Sequence, residues 1–106
     1  MADSLGEELS AALSNITSLI IKTESKGERT KLTRQQAELA GQLQVFVDGV
    51  VDEALPEYLE ATAALNAAND EAEGAKKKLD KVAGTIKQFA AAIDKLAALA
   101  AKVAAV

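Results

Sequence analysis

A seven-residue apolar repeat runs without interruption through the second half of this chain. Alternating steps of three and four residues meet only apolar side chains, at Tyr58, Ala61, Leu65, Ala68, Ala72, Ala75, Leu79, Val82, Ile86, Phe89, Ile93, Leu96, Ala100 and Val103. Such a heptad pattern predicts α-helix with one face packed against other helices. It restricts the chain to helical architectures.

Composition supports an all-α fold. Apolar residues make up 49% of the 106 residues, but alanine dominates that share and the aromatic residues are limited to Phe46, Tyr58 and Phe89. Alanine is the best helix former, whereas a sheet would favour β-branched and aromatic residues in alternation. We expect one helical domain that spans residues 1–106.

Three apolar stripes predict helices over about 4–23, 31–55 and 57–104. The first helix is expected to end before Gly27, which can take a left-handed conformation, and the second to start at Thr30 or Thr33. Gly41 and Gly49 lie inside the second helix, where we expect close approach of a neighbouring helix, the alternative being an exposed position. Pro56 then starts the third helix. The second stripe contains Leu32, Gln36, Leu39, Leu43 and Phe46.

The third helix admits two interpretations. An interhelical turn usually resets the heptad phase, and no reset occurs between Tyr58 and Val103. We therefore favour a helical hairpin plus one long C-terminal helix, in a coiled coil or helical bundle. The alternative is a compact four-helix bundle in which the chain breaks near Gly74 or Gly84.

The flanks of the stripe become apolar from residue 83 onward. A long helix would carry this wide face past the hairpin, and an uncovered apolar face is an association surface. We predict a homodimer or higher oligomer, and binding of a further protein, through this face. The predicted interaction surface comprises Leu79, Val82, Ile86, Phe89, Ile93, Leu96, Leu99 and Val103.

Basic residues gather at the turn between the first two helices, and antiparallel folding would bring a lysine run level with them. This end of the molecule is predicted to dock an anion or an acidic partner. No glycine-rich phosphate loop and no stacking aromatic accompanies it. The docking set comprises Lys26, Arg29, Lys31, Arg34, Lys76, Lys77 and Lys78.

Composition argues against catalysis. The chain has no histidine and no cysteine, which removes the usual proton-transfer group, the thiolate nucleophile and the commonest metal ligands. The densest acidic cluster lacks calcium-loop and di-iron spacing, and we interpret it as a solvated helix end. We predict no cofactor and no metal. The cluster comprises Asp48, Asp52, Glu53, Glu57 and Glu60.

The sequence thus predicts a non-enzymatic interaction module, of the adaptor, chaperone-like or scaffold kind. The net charge of −4 argues against a specific nucleic-acid partner. The absence of a secretory signal and of cysteine favours the cytoplasm. The alternative function is binding to a lipid surface, because lysines flank the apolar face of the C-terminal helix. Its alanine-rich, tryptophan-free face favours a protein partner instead.

Overall fold

The fold is an all-α bundle in the part of the chain that the structure describes, residues 5–48 and 54–104 of a computed structural model. Its elements are α1 (Leu5–Lys22), α2 (Lys26–Asp48), α3 (Pro56–Lys77), a 3-10 turn (Leu79–Lys81) and α4 (Val82–Ala104). The predicted fold class is confirmed, in its compact four-helix form. Pro56 occupies the first helical turn of α3 as expected.

The prediction of one long C-terminal helix is wrong. The chain reverses at Lys78, between Gly74 and Gly84, and α4 folds back antiparallel along α3. The Lys78 backbone is extended, with φ −133° and ψ 99°. Reversal lets α4 bury its apolar face against its own chain, and this burial outweighs the few helical hydrogen bonds that the break removes.

The helix α2 starts earlier than its sequence signals predict. Ser25 caps it, because the Glu28 N–H donates to Ser25 Oγ and the Arg29 N–H donates to the Ser25 carbonyl. Thr30 and Thr33 are inside the helix, where each hydroxyl donates to the carbonyl four residues back. No glycine in the described residues has positive φ, so the left-handed stop expected at residue 27 is absent.

The bundle consists of two helical hairpins that lie side by side. Each of α1 and α4 packs against both α2 and α3, so α1 and α4 occupy one diagonal. The pairs α1/α3 and α2/α4 are parallel, because residue numbers rise together in their hydrogen bonds. The α1–α2 turn and the α3–α4 turn therefore lie at the same end of the bundle. We call this end the turn pole: residues 22–26 together with 77–82.

A seam of small residues runs along the buried face of α3. Ala61, Ala68, Ala72 and Ala75 are fully buried, and alanine permits short distances between helix axes. Large side chains from the other helices fill the remaining core. Most of the heptad stripe is therefore buried within the bundle.

The expectation of close helix approach at Gly41 is wrong. A β-carbon built at Gly41 would meet no atom within 4 Å, and the residue is exposed on α2. Gly49 lies outside the described residues. Gly41 therefore costs helix stability without a packing advantage, since glycine is about 1 kcal/mol worse than alanine inside a helix.

Candidate functional site

Half of the predicted interaction surface lies in the core of this molecule. Val82, Phe89, Leu96 and Leu99 are fully buried. The expectation that they project past the hairpin is wrong, because the break at Lys78 returns α4 to the bundle. The side chain of Val103 lies outside the described part of the structure.

Three members of that set remain accessible. Leu79 is 42% exposed in the 3-10 turn, and Ile86 and Ile93 are half-buried on the side of α4 that faces α2. Ile86 and Ile93 are one heptad apart, so they form a regularly spaced pair along the α2/α4 interface. This interface leaves two aliphatic side chains partly open to solvent.

Two glutamine side chains join α2 to α4 one heptad apart. Gln35 Nε2 donates to the Ile86 carbonyl at 2.8 Å, and Gln42 Nε2 donates to the Ile93 carbonyl at 3.3 Å. Each glutamine leaves its Oε1 atom buried without a hydrogen-bond partner. A buried acceptor without a partner costs about 1–3 kcal/mol, so these two oxygens lower the stability of the folded protein.

A groove of about 310 Å³ runs along this interface. Its floor is apolar, and Gln35, which is only 7% exposed, forms part of its lining. Charged side chains form the rims, and among the described residues none of them makes an ion pair with another. The lining comprises Lys31, Arg34, Gln35, Glu38, Ile86, Ala90, Ile93 and Asp94.

The groove exists because α4 has a second apolar stripe beside its core stripe. Steps of three and four residues along this flank reach Ala83, Ile86, Ala90, Ile93, Ala97 and Ala100. The isoleucines are half-buried, while Ala83, Ala90 and Ala97 are exposed and too small to reach α2. The alternation of large and small residues leaves a recess with two aliphatic contacts and room between them.

Charge is ordered along the groove. Lys31 and Arg34 lie toward the turn pole, and Glu38 lies one helical turn further from it. Asp94 on α4 is level with the far end, because the parallel register sets Gln42 beside Ile93. The groove therefore has a basic half and an acidic half, which would orient a charged partner.

The structure divides the predicted docking set into separate places. Lys26 and Arg29 line a cleft of about 480 Å³ beside Ile20, between α1 and α2. Lys76, Lys77 and Lys78 are at the turn pole with them, and Lys76 pairs with Glu73 at 3.0 Å. Lys31 and Arg34 belong to the α2/α4 groove instead. One predicted basic patch is therefore a basic pole and, separately, one rim of a groove.

A buried polar network joins α1 to α3, and the sequence stripes did not reveal it. Glu8, which is 4% exposed, accepts hydrogen bonds from Asn69 at 2.8 Å and from Asn66 at 3.1 Å. Asn15 Nδ2 donates to Asn69 Oδ1 at 3.0 Å. A second stripe through Glu8, Ala12, Asn15 and Leu19 would have placed these groups on one face. The network fixes register and opens no pocket.

The acidic cluster is only partly within the described residues. Asp52 and Glu53 lie outside them, as does the side chain of Asp48, while Glu60 pairs with Lys95 of α4 at 3.3 Å. Within residues 5–48 and 54–104 no group of histidine, cysteine or acidic side chains has a metal-binding arrangement. None of the helices described is both long and apolar enough to cross a bilayer.

Comparison of this chain with protein-family models, with curated proteins and with solved structures gave no significant match.

Proposed function

We propose that this protein is a non-enzymatic interaction module that binds an amphipathic helix of another protein in the α2/α4 groove. The observation that carries the proposal is the open, apolar groove of about 310 Å³ in which Ile86 and Ile93 are only half-buried. In the free protein this apolar surface faces water, and an apolar side chain of a bound partner would remove it from water.

The groove specifies the chemistry of its partner. Helix-in-groove binding uses apolar side chains three, four or seven residues apart, and Ile86 and Ile93 offer contacts at a seven-residue spacing. A small residue would pass over Ala90. Acidic side chains on the partner would face Arg34, and basic ones would face Asp94.

Photocrosslinking in the cell that produces the protein tests this proposal. A photoreactive amino acid at Ala90, which is exposed in the groove, should capture a discrete partner. The same amino acid at Ala91, exposed on α4 but outside the groove lining, is the matched control. Mass spectrometry should map the adduct to a helical segment with the predicted pattern. Equal capture at both positions would contradict the groove.

A synthetic peptide of the captured segment then gives the affinity. Ala90→Arg fills the groove without touching the core and should weaken peptide binding at least about tenfold, or about 1.4 kcal/mol. Ala91→Arg adds the same charge and bulk elsewhere and should leave the affinity within about twofold. Fluorescence anisotropy measures both variants. Equal affinities for the two would exclude the groove as the binding site.

A second candidate function follows from the turn pole. Ile21 is 79% exposed beside Lys22, and Leu79 is exposed beside Lys77 and Lys78. Aliphatic side chains among lysines suit an anionic lipid surface. The apolar face of α4 is buried, so contact would use the pole rather than the flank of this helix. Co-sedimentation with anionic vesicles at low salt that is lost in Ile21→Glu would support lipid binding. Absence of co-sedimentation would exclude it.

A further inference from the structure

The turn between α3 and α4 has few sequence signals for a chain reversal. Lys78 is the only residue between α3 and the 3-10 turn, and it makes no side-chain cap. Backbone bonds hold it: its N–H donates to the Gly74 carbonyl and its carbonyl accepts from Lys81, both at 3.0 Å. The turn contains neither proline nor a positive-φ residue, which are the usual signals for a chain reversal.

The same segment is equally suited to a continuous helix. Ala75, Leu79 and Val82 keep the three-four phase through the turn, and the intervening residues, mainly lysines, are good helix formers. Straightening the chain requires a change of backbone dihedral angles near Lys78 alone. The result would be a helix over residues 56–104, about 74 Å long at 1.5 Å per residue.

A straightened monomer could not persist by itself. Val82, Phe89, Leu96 and Leu99 would leave the core, and a face of that size needs cover. The surface that fits it is the one α4 already occupies, on α2 and α3, and only a second copy of this chain offers an identical vacant surface. Short hinge segments of this kind permit exchange of an element between copies.

We infer that this chain forms a dimer in which two copies exchange α4. Each α4 packs on the partner copy, and every contact across the α2/α4 and α3/α4 interfaces is kept. The Gln35–Ile86 and Glu60–Lys95 contacts become intermolecular. The dimer carries two copies of the α2/α4 groove, each built from both chains. This inference rests on the turn and not on any ligand of the groove.

Leu79 gains a role in the exchanged dimer. Among the described residues of the heptad stripe, Leu79 alone is exposed in the monomer, and the others are buried or half-buried. The antiparallel register of α3 and α4 places Gly74 against Lys81. Continued across the twofold axis, it sets Leu79 level with Lys76 and next to Ala75 of the other copy. The small alanine leaves room for the leucine, so the dimer buries side chain that the monomer exposes.

A cysteine pair distinguishes exchange from any other dimer. The chain has no cysteine, so Glu60→Cys with Lys95→Cys introduces a single possible pair at an observed α3/α4 contact. The protein is refolded at millimolar concentration in high salt, which screens the lysines that meet at the twofold axis. Size-exclusion chromatography then separates monomer from dimer. Each peak is diluted to micromolar concentration, its cysteines are joined with a short bis-maleimide, because the observed contact is between side-chain ends, and a denaturing gel follows.

The dimer peak should run as a covalent dimer and the monomer peak as an internally linked monomer. Either single-cysteine variant should give no covalent dimer, because its partner cysteine is missing. Absence of a dimer peak, or a dimer peak that runs as monomer on the gel, would overturn the inference.

Leu79→Pro tests the hinge without changing the α2/α4 and α3/α4 contact surfaces. Proline fits the first residue of the turn after an extended Lys78, but it breaks a continuous helix. We expect its dimer dissociation constant to rise at least about a hundredfold, with monomer stability retained. Leu79→Ala removes the same side chain and keeps the helix propensity, so its dimer should persist. Equal dimerisation of the two variants would overturn the inference.

Discussion

Side-chain amides set the register of both parallel helix pairs. Asn15 and Asn69 join α1 to α3, and Gln35 and Gln42 join α2 to α4. Apolar contacts tolerate small sliding movements, whereas a buried amide loses a hydrogen bond when its partner shifts. The amides therefore decide which of several similar packings the alanine-rich helices adopt.

Asn69 should be the most sensitive polar residue. Asn69→Ala removes a donor from the buried Glu8 carboxylate and leaves Asn15 without its acceptor, so we expect a loss of about 1–3 kcal/mol in the free energy of unfolding. Asn66→Ala is the matched control, because the exposed Asn66 donates to the same carboxylate and should cost less than about 1 kcal/mol. Urea denaturation measures both. Equal losses would show that the buried network does not set stability.

Gln35 should contribute little net stability. Gln35→Met removes the unpartnered oxygen and also the hydrogen bond to the Ile86 carbonyl, so the two effects offset and we expect the free energy of unfolding to change by no more than about 1 kcal/mol. Gln42→Met makes the equivalent change opposite Ile93 and should behave in the same way. Thermal unfolding measures both variants. A loss of more than about 3 kcal/mol in either would contradict the offset.

At the scale of elements, the sequence predicts helices well and their ends less well. The stripes locate all helical segments, and Pro56 marks a real boundary. The predicted start of α2 is too late, because Ser25 caps the helix. The hydroxyls of Thr30 and Thr33, the predicted caps, instead donate hydrogen bonds to carbonyls of their own helix. The break at Lys78 leaves no trace in the heptad phase, because one face serves both a hairpin and a long helix.

The seam of α3 should tolerate no added volume. Ala68→Leu adds bulk at a fully buried position between closely packed helices and should destabilise the protein by about 1–3 kcal/mol. Ala67→Leu places the same side chain on the exposed face of the same helix turn and should change stability by no more than about 0.5 kcal/mol. The midpoint of urea denaturation measures both variants. An Ala68→Leu variant as stable as Ala67→Leu would contradict tight packing around this face of α3.

At the scale of the whole molecule, the sequence predicted components of the site but not their combination. Ile86 and Ile93 came from the predicted interaction surface, and Lys31 and Arg34 from the predicted docking set. Their meeting in one groove depends on α4 packing beside α2, a consequence of the reversal at Lys78. Gln35 had no signal of its own, since a glutamine beside an apolar stripe resembles ordinary surface.

Molecular shape should separate the possible assemblies. The monomer measures 42 × 26 × 17 Å with a Cα radius of gyration of 13.4 Å. An exchanged dimer contains a helix of about 74 Å and should nearly double the longest dimension, whereas two bundles joined side by side through their grooves would not. Small-angle X-ray scattering of the dimer peak measures that length. A dimer no longer than the monomer would exclude the exchanged arrangement.

The parallel alignment of the two hairpins has the geometry of stacked helix pairs. Consecutive helix pairs in helical repeat proteins stack in this way, each pair in the same direction as the last. Contacts of α1 with α3 and of α2 with α4 follow the same helix directions. The bundle therefore has the helix directions of two stacked pairs, and both pairs share one hydrophobic core.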